Sequence, residues 1–158
     1  MKVNVNFTRC KRARKLVNEK LVGNYKKEFA LLRDYGDELL DKNRGSTVKL
    51  SVDKVTPDSP PHFKRFYVCF DALEKGWKKG CRPILSLDGC FLKGPYKSEL
   101  LSDVGRDGNN QMFPVAWAVV DVESIDSWTW FIELLKTNLH LRDGYGYTIM
   151  SDQQKVMF

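Results

Sequence analysis

Apolar positions recur first at helical spacing, then alternate, then run together, and each change of period marks an element. Ala13, Leu16, Val17 and Leu21 share one helical face, which predicts a helix over residues 9–22, capped by Thr8 and stopped by Gly23. Tyr25, Phe29, Leu32, Tyr35, Leu39 and Leu40 keep the same period over residues 24–41. The two segments read as a helix–turn–helix pair joined at Gly23-Asn24. Val48, Leu50 and Val52 alternate, predicting a strand over residues 46–53. The prolines of TPDSPP, residues 56–61, cannot sit in a regular element and mark a linker. Beyond it Phe63, Phe66, Tyr67, Phe70, Leu73 and Trp77 fall at helical spacing, predicting an aromatic-rich helix that ends at Gly80.

The second half reads as strands, one helix and a strand. Strands are expected over residues 82–91, 99–105 and 113–122, the last two joined by the RDGNN turn of residues 106–110, with Asp107 and Asn109 building the turn. Asp126 or Ser127 caps a helix carrying Trp128, Phe131, Ile132, Leu134, Leu135 and Leu139. Residues 147–151 form a fourth strand, and the intervening helix makes it parallel to the first. Three antiparallel strands, a helix and a strand beside the first begin a ribonuclease-H-like α/β fold, preceded by a helical segment. The domain reading is a basic helical segment ending in a strand (1–55), a Pro-rich linker (56–62) and the α/β unit (63–158).

Composition narrows the function. The 158 residues, 42% hydrophobic and 29% charged, suit a soluble globular chain. No apolar run approaches membrane-spanning length, and the N-terminus lacks the apolar stretch of a secretory signal. Cys10, Cys69, Cys81 and Cys90 form no CxxC pair and have only His62 and His140 for company, so they read as reduced thiols rather than zinc ligands. Residues 1–80 hold 19 Lys+Arg against 10 Asp+Glu, and residues 81–158 hold 7 against 10, so +9 is balanced by −3 to give +6. A basic half joined to an acidic half fits a nucleic-acid surface beside a metal-binding core. Arg9, Lys11, Arg12, Arg14 and Lys15 are the candidate phosphate contacts, with Lys93 a further one. Basic charge at a helix N-terminus opposes the helix dipole, which favours a functional reason for the cluster.

Two aspartates carry the candidate chemistry. Asp88 follows Ile84-Leu85-Ser86-Leu87 and Asp152 follows Thr148-Ile149-Met150-Ser151, so each stands where an apolar strand reaches the lip of the sheet. Carboxylates held there suit a hard divalent cation and metal-assisted phosphodiester chemistry. Gly89 and Gly94 read as turn formers, Asp103 and Asp121 as strand-surface acids, and Trp128 and Trp130 as packing residues.

The ordered motifs GCRPILSLDGCFLKGPYKSELL, GRDGNNQMFPVAWAVVDVES, DSWTWFIELLKTNL and TIMSDQQK resemble the transposases of plant Mutator-like elements. The resemblance is strong over residues 63–158, and the upstream GNYKKEFALLRDYGDELLDKNRGSTVKL is similar to the segment preceding the catalytic core in that family. It implies a DDE transposase on a ribonuclease-H-like core, with Asp88 and Asp152 as the first two catalytic acids. It further implies Mg²⁺ or Mn²⁺ as cofactor, terminal-inverted-repeat DNA as partner, possible self-association, and a nuclear protein of plant origin. No membrane or small-molecule cofactor is implied. The family's third acid is a Glu downstream of the second Asp, but Glu99, Glu123 and Glu133 all precede Asp152. Phe91 stands where the family often has His, and residues 154–156 match only in part. These residues alone are therefore expected to be catalytically inert, with a DNA-binding regulator or a decayed, non-functional fragment as the alternatives.

Overall fold

The computed structural model describes residues 6–54, 56, 59, 61–93 and 97–152. Helices α1 (Phe7–Ala30) and α2 (Leu32–Lys42) lead into β1 (Thr47–Asp53) and β2 (His62–Cys69). Then come α3 (Asp71–Gly80), β3 (Ile84–Phe91), β4 (Glu99–Arg106), β5 (Met112–Val120), α4 (Ile125–Leu139) and β6 (Thr148–Ser151). All six strands form one mixed sheet in the order β1-β2-β5-β4-β3-β6. Every neighbouring pair is antiparallel except β3 and β6, whose connection through α4 makes them parallel as expected.

The N-terminal helices depart from expectation. Gly23 does not stop the first helix, which runs to Ala30, and Asn6, not Thr8, caps it: Asn6 Oδ1 accepts from the Thr8 N–H at 2.9 Å. A glycine inside a helix costs about 1 kcal/mol relative to alanine, too little to end a run that has no other breaker. The break falls instead at Leu31, and no Gly-Asn turn exists.

The aromatic-rich helix predicted over residues 63–80 is half wrong. Residues 62–69 are strand β2, and only Asp71–Gly80 is helical. Phe63, Phe66 and Tyr67 fit both periods, and β2 lies between β1 and β5, so Phe66–Cys69 are buried on both faces of the sheet. Its hairpin partner β1 ties the strand before the Pro-rich segment into the same sheet. The later elements follow expectation closely. The α4 cap is Ser124 rather than Asp126 or Ser127, its Oγ accepting from the Ser127 N–H at 3.2 Å. Asp107 Oδ1 accepts from the backbone N–H groups of Asn109 and Gln111 at the β4–β5 turn.

Strand alternation sends Tyr67, Cys69, Leu85, Leu87, Leu101, Ala116, Ala118 and Val120 to one face. There Trp77 of α3 and Trp128, Phe131, Leu135 and Leu139 of α4 cover them. Trp77 lies so flat on β4 that a Cβ at Gly105 would stand 2.5 Å from its ring. Trp130 packs edge-on to Tyr67, with the Arg65 guanidinium 4.8 Å from its ring centre. The opposite face is covered over β1 and β2, where Tyr35 of α2 lies 6.3 Å from the Phe66 ring. Over β3, β4 and β5 that face keeps Ser86, Ser102, Val104, Trp117 and Val119 half-buried and Asp88 exposed.

Candidate metal centre

Asp88 is the fifth residue of β3, and Asp152 is the residue immediately after β6. The parallel register matches Ile84 with Thr148 and continues to Leu87 with Ser151. One step further it aligns Asp88 with Asp152. Aligned residues on parallel neighbours share a face, and the strands lie about 4.8 Å apart. Leu85 and Leu87 point into the core beneath α4, so Asp88 points to the other face, where its side chain is exposed; Asp152 is exposed too. The Asp88 backbone is fixed from its other side, since its carbonyl accepts from Ser102 Oγ at 3.3 Å across the β3–β4 pair. The two acids predicted from sequence are thus brought to adjacent positions on β3 and the edge strand β6.

Their donor set suits a hard cation. Mg²⁺ is commonly held by one or two carboxylates, with water and substrate phosphate filling the remaining positions. Among the described residues no group of three His, Cys, Asp or Glu side chains is placed to hold a metal. Two carboxylates therefore make a partial ligand set.

Acids that sequence reasoning misplaced or passed over lie nearby. Glu123 stands over β3: its Oε1 accepts from Trp128 Nε1 at 2.9 Å, and a Cβ at Gly89 would come within 2.8 Å of the same oxygen. Gly89 thus lies inside the strand and makes room for a carboxylate, rather than forming a turn. Glu99 faces Phe91 across the β3–β4 pair, and its carboxyl is pushed above the usual range, first by burial, with Glu123 and Asp121 adding repulsion. Asp103, read from sequence as a surface acid, is fully buried, with neither oxygen hydrogen-bonded. Burial raises its pKa from 3.8 to about 7, and the neighbouring Val104 N–H, which is out of hydrogen-bonding geometry, offsets only part of the rise. The signal was present: in ELLSDVGR the alternation puts Asp103 on the same side as Leu101 and Gly105. Asp121 is exposed, as expected.

The candidate phosphate contacts lie apart in the chain. Arg9, Lys11, Arg12, Arg14 and Lys15 are all exposed on α1, and Lys93 is exposed just beyond the end of β3. Lys15 pairs with Glu19 at 3.7 Å, a solvent-exposed contact that stabilises little. The four cysteines are free; Cys69 is buried, donates to the Val115 carbonyl at 3.6 Å, and has its thiol pKa pushed up to about 11 by burial. The turn expected at Gly94 and residues 154–156 fall outside the described residues. No helix among the described residues is long and apolar enough to cross a membrane.

Comparison with known proteins adds one assignment. Residues 84–158 match the family model of the MULE transposase domain. The match opens on the first residue of β3 and takes in β4, β5, α4 and β6, so both Asp88 and Asp152 lie within it. No curated protein and no solved structure matches the chain.

Proposed function

We propose that this chain is part of a Mutator-like DDE transposase, with residues 84–158 forming the opening of a ribonuclease-H-like catalytic core. The observation that carries the reading is the β3–β6 register, which sets Asp88 and Asp152 side by side within the segment matching the MULE transposase domain. The strand order β5-β4-β3-β6, with α4 as crossover, supports the ribonuclease-H-like assignment.

In this reading Asp88 and Asp152 hold Mg²⁺ or Mn²⁺ at the sheet edge. Such a cation supplies Lewis acidity toward a phosphodiester and lowers the pKa of bound water. The chain's own part is geometric. Asp88 is held by its pairing with Ser102 of β4, and Asp152 is set by the end of β6. The substrate is DNA, with terminal inverted repeats as the class of site, and the compartment is the nucleus of a plant cell. Arg9, Lys11, Arg12, Arg14, Lys15 and Lys93 serve as phosphate contacts. A DDE site requires a third carboxylate beside these two.

Mn²⁺ titration followed by electron paramagnetic resonance tests the site directly. Binding by the wild-type chain should weaken on Asp88→Asn or Asp152→Asn and vanish when both are changed. Equal Mn²⁺ affinity in the double variant would overturn it. A DNA-binding protein without catalysis is the second reading, favoured by the basic, exposed α1. It predicts DNA affinity that the same two substitutions leave in place.

A further inference from the structure

Among the described residues, the front of the N-terminal helix packs against nothing. Every residue from Asn6 to Lys20 is exposed, including Phe7 at 73%, Leu16 at 59% and Val17 at 56%. The helix meets the fold at its other end, where the Phe29 ring packs tilted against Phe63 with ring centres 4.9 Å apart. At 100° per residue, Arg9 and Lys20 lie along one line, Arg14 along a second, Lys11 and Lys15 along a third, and Arg12 along a fourth. Basic groups therefore surround the rod. Glu19 is the one acid from residue 7 to residue 20, and the first turn contains none.

We propose that α1 binds duplex DNA as a single helix seated in the major groove, with Arg9, Lys11, Arg12, Arg14 and Lys15 reaching the phosphates on both walls. The proposal rests on the DNA reading above and replaces the helix–turn–helix with one projecting helix. Size fits: a helix with its side chains is about 10–12 Å across, and the B-form major groove is about 12 Å wide. Electrostatics fit as well, because phosphates would neutralise the basic first turn that the helix dipole disfavours. A membrane surface would require a continuous apolar face, and Arg9 and Lys20 interrupt the one formed by Ala13, Leu16 and Val17. Duplex RNA offers a major groove too deep and narrow for a helix.

The test is fluorescence anisotropy on the full chain across a salt series, with a mixed-sequence DNA duplex, the same sequence as an RNA duplex, and anionic lipid vesicles. Changing Arg9, Lys11, Arg12, Arg14 and Lys15 together to Gln should weaken DNA binding at least about tenfold. It should also flatten the slope of log affinity against log salt by roughly 4–5, at about 0.9 for each of the five phosphate contacts removed. Changing Lys42, Lys75 and Lys79 to Gln, three exposed lysines elsewhere, should shift affinity by less than about twofold. A five-site variant that binds like wild type overturns the helix assignment and leaves the DNA reading standing. A wild-type chain that binds no DNA duplex overturns both. RNA duplex or vesicles bound as tightly as DNA, or equal loss in the three-lysine variant, overturns seating in the groove.

Discussion

Asp103 concentrates the residue-scale energetics. It lies in the row of β4 side chains that also presents Leu101 to the core, with no partner for either oxygen. In the unfolded chain this carboxyl titrates near its ordinary 3.8, and in the folded one near 7. Below both values each state is protonated and the stability is fully present. As pH rises from about 4 toward 7 the unfolded chain releases its proton first, so stability falls, by roughly 4 kcal/mol over the window. Thermal midpoints should therefore drop between pH 4 and pH 7, and Asp103→Ala should flatten that fall and raise the midpoint at pH 8. Unchanged pH dependence in the variant would show the carboxyl to be hydrated. Gly89 makes the opposite kind of prediction. Alanine there meets Glu123 Oε1, so either the carboxylate moves, breaking its 2.9 Å bond from Trp128, or the strand shifts. A loss of about 1–2 kcal/mol in chemical denaturation is expected, recovered in part by pairing Gly89→Ala with Glu123→Ala.

At the scale of elements, the misreadings share a cause. β2 and Phe70, the residue before α3, carry aromatic side chains whose spacing satisfies both a helix and a strand, and tertiary pairing chose the strand for the first eight residues. The sequence did hold a hint, since HFKRFYVC carries three aromatic residues and a valine, which fit a half-buried strand. In α1 the error ran the other way: Gly23 was given more stopping power than its roughly 1 kcal/mol carries. Gly23→Ala should accordingly increase the far-ultraviolet helix signal without changing the near-ultraviolet spectrum. A decrease would mean that the chain turns there. The strands from β3 onward and α4 were legible because strong alternation, a Gly- and Asn-rich turn and a helical apolar period agree with one another, although the cap of α4 is Ser124 rather than the expected Asp126 or Ser127.

For the molecule as a whole, the helices divide the work. α3 and α4 bury one face of the sheet around Trp77, Trp128 and Phe131, and this layer carries the stability. Leu101→Ala in its centre should cost about 2–5 kcal/mol in denaturant unfolding. By contrast, the exposed stretch of α1 adds little to the core. Deleting residues 1–20 should leave the thermal midpoint within a few degrees of wild type while removing the proposed DNA contact.

What the sequence determined by itself was local and periodic. The strand-end position of Asp152, the β4–β5 turn, the α4 crossover and the basic character of α1 all follow from residue order, because short-range geometry fixes them, whereas Asp88, expected at a strand end, lies in the middle of β3. Tertiary structure decided the rest. Whether residues 62–69 became strand or helix, whether Asp103 faced water or core, and which carboxylate would lie over Gly89 depended on neighbours distant in the chain. The meeting of Asp88 with Asp152 belongs to both levels. Sequence supplied two acids, each following a short apolar run, and the parallel pairing of β3 with β6 set them in the same register on the same face.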